Sequence, residues 1–131
     1  MSAENVEIVR QALAHFQRTR QYGNLLAPDA RLVNAPGSPF TVAATGPEGM
    51  REWLENVDEA FEEWEPRVGD VLDAPGDKVV VLNHMWGRGR GTGVEVEMEL
   101  NLVYTVTDGK ITQLEGYYTS DEALEAAGLS E

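Results

Sequence analysis

In the stretch ITQLEGYYTS, residues 111–120, Gln113, Glu115 and Tyr117 alternate with other residues at a period of two. That period puts all three on one face of an extended strand. A carboxyl on a face turned toward an apolar interior has its neutral form favoured, so its pKa rises toward values useful for proton transfer. Glu115 is therefore the candidate acid–base group. Asn34, in LVNAPG, has a side-chain amide that can hydrogen-bond a carbonyl but cannot abstract a proton; it can equally cap its own turn. Asn83, Gln113 and Tyr117 can orient a ligand or satisfy one another in a structural network.

Other chemistries lack their residues. The chain has no cysteine, which removes disulfides, thiolate metal sites and a Cys nucleophile. The two histidines, His15 and His84, are too few for a His-based zinc site, so no metal and no cofactor are expected. Ser38 lies in Gly-Ser-Pro, which is not a nucleophile elbow. The glycine-rich GRGRGTG, residues 87–93, does not match a dinucleotide fingerprint and no helix follows it. It reads as a hairpin tip.

The elements that must position these residues follow from periodicity. Val6, Val9, Leu13 and Phe16 form one stripe of a helix over residues 3–20, with Ser2 as its N-cap. A turn stopped by Pro28, a short strand Ala30–Val33 and a Pro/Gly loop over 34–46 follow. Thr45-Gly-Pro-Glu48 is a capping box for a second helix. Its buried stripe is Met50, Trp53, Leu54, Val57, Phe61 and Trp64, and Pro66 ends it. Four strands come next, Val68–Asp73, Val79–Trp86, Val94–Val106 and Ile111–Tyr118, the last two joined by an Asp108-Gly109 type I′ turn. Thr119-Ser-Asp-Glu122 caps a short closing helix ended by Gly128. The order predicts an α+β fold, helices on one face of a curved, mostly antiparallel sheet, in a single domain over 1–131.

The Val94–Val106 strand alternates cleanly. Its apolar row, including Met98, Leu102 and Tyr104, must face the helices, because the other row carries Glu95, Glu97 and Glu99. Counting back from the Asp108-Gly109 turn, Tyr104 opposes Gln113, Leu102 opposes Glu115 and Leu100 opposes Tyr117. The three polar residues then point inward, unless a bulge at Gly116 shifts the register. A hairpin centred on Arg90-Gly91 sets Val96 opposite Met85 and Met98 opposite Asn83, which turns Asn83 and Met85 inward too. On the outer side it sets Trp86 against Glu95 and His84 against Glu97, the latter as a cross-strand charge pair. A cavity is expected between the second helix and the last two strands, lined by Trp53, Met98, Leu102 and Tyr104.

Ten Lys and Arg against 23 Asp and Glu give a net charge of −13. Such a surface repels phosphate backbones and anionic lipid heads, so neither nucleic acid nor membrane is expected as a partner. The stretch MSAENVEIVRQ is charged within four residues and has no apolar core of secretory length, which predicts a cytoplasmic protein. Val80, Leu82, Trp86 and Val103 make the outer sheet face apolar, which predicts a homodimer.

At this point the chain resembles a family. LLAPDARLVNAPGSPFTVAATGPEGMREWL is similar to the opening of SnoaL-like, or nuclear transport factor 2-like, proteins. VVVLNHMWGRGRGTGVEVEMEL and TVTDGKITQLEGYYTSDEALEAAGL are similar to their closing hairpins and terminal helix. The resemblance implies a sheet wrapped around the N-terminal helices into a cone, commonly dimeric through its outer face. It implies no single function, since the superfamily hosts cyclases, isomerases and binding modules. The position similar to the base of ketosteroid isomerases is Asn34. That of their oxyanion acid is Leu102, or Asn101 if the turns align differently. The loose counterpart of the acid–base carboxylate in polyketide cyclases is Glu115. The expectation is a module that binds a small hydrophobic molecule in the cone. The alternative is a cofactor-free lyase, isomerase or cyclase acting on a small carbonyl compound through Glu115. A protein-docking module would instead show an exposed apolar patch.

Overall fold

The computed structural model describes residues 3–33 and 43–129. Ser2, Asn34 and Ser38, singled out above, lie outside them. The elements are α1 (Ala3–Thr19), a short 3-10 turn (Gly23–Leu25), β1 (Leu26–Val33), β2 (Ala43–Thr45), α2 (Gly46–Ala60), β3 (Phe61–Ala74), β4 (Lys78–Gly89), β5 (Glu95–Glu99), β6 (Asn101–Thr107), β7 (Lys110–Tyr117) and α3 (Ser120–Ala126). The strands form one curved, open sheet in the order β2-β1-β7-β6-β4-β3, with β5 paired to the far half of β4. Every pairing is antiparallel except that of β1 with β7.

Two apolar clusters lie on opposite faces of this sheet. On the inner face, Val9 and Ala12 of α1 and Val57 of α2 pack against Val79, Val81, Tyr104, Val106 and Ile111. On the outer face, Ala123 and Ala127 close over Ala74, Val80 and Val103. The closing helix thus covers the face opposite to α1 and α2, where the sequence predicted helices on one face only. Its start is as expected: the Thr119 hydroxyl accepts from the Glu122 amide at 3.2 Å.

Several boundaries differ for identifiable reasons. α2 stops at Ala60, and Phe61 and Trp64 belong to β3. Apolar residues three apart fit a helix stripe, and they also fit a strand that carries a register irregularity, as β3 does between Phe61 and Glu63. The Phe61 ring lies against Gly87, where a Cβ would meet it at 2.7 Å. Pro66 sits inside β3 rather than ending a helix; β3 is an edge strand, so the missing N–H costs no ladder bond. Pro28 likewise lies within β1. Thr45 is the N-cap of α2, but its side chain makes no cap hydrogen bond, so the capping box is not formed there.

The long third strand is divided at Leu100, whose N–H still donates to the Asn83 carbonyl at 2.9 Å. His84 pairs with Glu99, Val81 with Leu102 and Val79 with Tyr104, so one register runs through β5 and β6 without a slip. Its inner row grades from buried to open. Tyr104 and Val106 are buried and Leu100 and Leu102 half-buried, while Met98, Val96 and Val94 are 36%, 38% and 59% exposed.

Candidate functional site

The inner rows of five strands meet α1 and α2 around a cavity of about 70 Å³. Trp53 from α2, Trp64 and Pro66 from β3, Asn83 and Met85 from β4, and Leu102 from β6 contribute to the wall. Phe16, Tyr22, Met50, Leu100 and Leu114 complete it, with Leu32, Val33 and Gly116.

Its aromatic side is fixed from behind. Trp53 and Trp64 meet edge to face, with ring centroids 6.4 Å apart. The Trp64 indole N–H donates to Asp58 Oδ1 at 2.7 Å, and the Arg20 guanidinium lies over the Trp64 ring at 4.2 Å while pairing with Asp58 at 3.1 Å. The hydrogen bond from Trp64 is the largest influence on the Asp58 carboxyl and, with help from Arg20 and Arg90, holds it below its usual range against the opposing effect of burial. Tyr22 stacks near Phe16 and meets Tyr104 edge to face, and the two phenol oxygens share a hydrogen bond of 2.8 Å. Burial pushes the Tyr22 phenol up to about 12. No Asp, Glu, His, Lys or Arg lines the cavity among the described residues.

Asn83 is the polar exception in that wall. It is 3% exposed, and its Oδ1 is buried with no hydrogen-bond partner among the described residues. Its backbone N–H is satisfied, donating to Asn101 Oδ1 at 3.1 Å.

Of the residues predicted from sequence, Trp53, Asn83, Met85 and Leu102 are brought together in the wall. Tyr104 is fully buried behind Tyr22 and does not reach the cavity. Met98 pairs with Met85, not with Asn83, because the hairpin is centred one residue later than Arg90-Gly91; it lies beyond the wall, on the open lip. The same shift sets Trp86 opposite Glu97 and His84 opposite Glu99, and Glu97 pairs with Arg67 at 3.1 Å.

Glu115, Gln113 and Tyr117 face outward. Thr107 opposes Lys110 and Val106 opposes Ile111, as the turn requires, but Thr105 then opposes Gln113. Thr112 is therefore extruded as a bulge, its hydroxyl donating to the Thr105 carbonyl at 3.3 Å. Everything after it is out of phase with the simple count: Leu114 opposes Tyr104, Gly116 opposes Leu102, and Glu115 opposes Val103 on the outer face. Burial decides the matter, since the bulge turns Leu114 rather than Gln113 and Glu115 toward the apolar interior. The Tyr117 hydroxyl donates to Glu115 Oε2 at 3.0 Å; burial, then that carboxylate, pushes the phenol up to about 12.

Phe16, Trp64, Leu100 and Leu114 were missed as wall residues. Leu100 lay on the recognised inner row, and Ile111 with Leu114, an odd number of positions apart on one strand, was the available sign of a bulge. A wider depression of about 480 Å³ opens on the outer face beside Arg67, His84, Glu97 and Glu99. It is larger but polar, and several of its charges are engaged: Arg67 with Glu65 and Glu97, and Glu99 with Asn101 and the Ser120 amide.

The family model described as SnoaL-like domain matches residues 9–114, and the chain belongs to that family. Among curated proteins none matches. Solved structures share the fold. The protein TerC, crystallised with polyporic acid, is 21% identical with a TM-score of 0.76, over 95% of this chain and 98% of that one. A nuclear transport factor 2-like protein of unknown function from Burkholderia pseudomallei is 19% identical with a TM-score of 0.77, over 96% and 98%. A protein with a ketosteroid isomerase-like fold from Catenulispora acidiphila, in complex with trimethylamine, is 25% identical with a TM-score of 0.69, over 94% and 93%. Among the described residues no helix is long and apolar enough to cross a membrane.

Proposed function

We propose that this protein is a binding module that holds one small, neutral, mostly apolar molecule in the inner cavity and performs no chemistry on it. The observation that carries this reading is the wall itself: among the described residues, aromatic and aliphatic side chains around one amide, with no carboxylate or imidazole to move a proton. The one titratable group in it among the described residues, the Tyr22 phenol, is pushed up to about 12 by burial and is already bonded to Tyr104. The enzyme alternative needed Glu115 inside, and Glu115 lies across the sheet. Co-crystallised small molecules in two structural neighbours support a ligand-holding cone.

Titration with toluene, followed by tryptophan fluorescence, tests this. Saturable quenching is expected, and Leu102→Trp, which fills the cavity, should abolish it. No saturable signal up to the solubility of toluene would sink the reading.

The homodimer and the cytoplasmic location belong to the same proposal. The dimer loses part of its motive, because Val80 and Val103 are covered by the chain's own α3, leaving half-buried Leu82 and Trp86 on that face. Light scattering at micromolar concentration is expected to give twice the mass of 14.4 kDa, and a monomer would refute it.

A further inference from the structure

The amide of Asn83 narrows the class of ligand, on the premise that the cavity is a binding site at all. A buried polar atom without a partner costs free energy in the empty protein. Asn83 is held by β4 on the inner face between Val81 and Met85, both fully or almost fully buried, so it cannot turn to solvent. The remaining wall offers nothing to its Oδ1 among the described residues. A ligand that carries a hydrogen-bond donor would supply that partner.

We propose that the cavity takes a single-ring aromatic molecule bearing one hydroxyl or N–H, of the phenol class, and that Asn83 Oδ1 accepts that hydrogen bond. Three observations select this class. The volume sets a single ring as the upper limit and leaves no room for a fused system, since about 70 Å³ is less than the roughly 150 Å³ of a cavity that accommodates benzene. Trp53 and Trp64 present ring edges and faces that suit an aromatic guest. The polar contact is a neutral acceptor with no counter-charge in the wall among the described residues, so an anion would meet a lone pair and a cation would be buried unpaired.

The test uses three probes of similar size on the wild-type protein: phenol, toluene, and anisole, which accepts but does not donate. Phenol is expected to bind roughly five- to tenfold tighter than either, the ratio that one net hydrogen bond supplies. Asn83→Leu should bring the phenol-to-toluene ratio to one or below. It should also raise the melting temperature of the ligand-free protein, because it removes the unpaired acceptor; a merely structural amide would give the opposite sign. Equal or tighter binding of toluene or anisole to the wild type would overturn the assignment while leaving the binding module standing. So would a phenol preference that survives in Asn83→Leu. Failure of all three probes to bind would sink both. The wild-type series decides the matter even if the variant folds poorly.

Discussion

Tyr22 and Tyr104 form the polar knot beneath the cavity, and removing one hydroxyl should expose its energetics. Both side chains are buried, 5% and 0% exposed, and their oxygens are 2.8 Å apart. Tyr104→Phe leaves the Tyr22 hydroxyl with no partner in a place water does not reach. The expected loss is about 1–3 kcal/mol, the desolvation penalty of an orphaned group rather than the smaller net worth of the bond. For a domain of this size that lowers the melting temperature by about 3–5 °C per kcal/mol. Tyr22→Phe should cost a similar amount. The double variant should cost less than either, because no polar group is then left buried and unpaired. Urea melts followed by tryptophan fluorescence supply all four corners of the cycle. A double variant that loses the sum of the two single losses would refute the reasoning. The same pair dictates alkaline behaviour. Burial raises Tyr22 to about 12 and Tyr104 well above its ordinary value. A phenol whose pKa is higher folded than unfolded holds its proton in the folded state while the unfolded chain releases it. Its contribution is complete below about pH 10 and is lost as pH climbs through the folded value. Stability should therefore fall between about pH 10 and 12, and less steeply in the double phenylalanine variant.

Other outcomes follow from single contacts. Gly46 opens α2 at φ +63°, and a Cβ there would lie 2.2 Å from the Pro28 carbonyl oxygen; Gly46→Ala should cost at least about 2 kcal/mol in a urea melt, strain and clash together, and a loss below 1 kcal/mol would mean that β1 and α2 separate freely. Asp58→Asn should loosen Trp64 and lower stability by less than about 1 kcal/mol, since the carboxylate is half exposed. Its lowered pKa means that this contribution is present at neutral pH and disappears as pH falls below the ordinary carboxylate value near 4. In an absorbance assay with a β,γ-unsaturated ketosteroid, no turnover above background is expected, and Glu115→Gln should be indistinguishable from the native protein; native turnover that vanishes in Glu115→Gln would overturn the binding-module proposal.

The sheet and helices were legible because their signals are redundant. The Asp108-Gly109 turn, both residues at positive φ, pinned Thr107 to Lys110, and the Val94–Val106 alternation survived intact across the break at Leu100. The end of α2 was not legible, because Phe61 and Trp64 satisfy helix spacing and are claimed by β4 only through tertiary pairing. Val80 and Val103 looked like a partner surface because nothing in a period-two pattern tells which apolar face a distant seven-residue helix will cover. The site was half visible. Asn83 and Met85 were turned inward correctly, since an error of one residue in a hairpin centre moves partners by two and preserves the face. Glu115 went to the wrong side because a single extruded residue reverses the face of everything after it.

That extruded residue has a consequence for the whole strand. β7 carries two complete wall chemistries on its two faces: Leu114 and Gly116 on one, Gln113, Glu115 and Tyr117 on the other. Thr112 selects between them. Drawn back into the ladder, it would turn the strand over and present an acid, an amide and a phenol to the cavity, with no change in the residues that follow it. A single residue near the hairpin end of β6 and β7 thus decides which of two sets of side chains β7 turns toward the cavity.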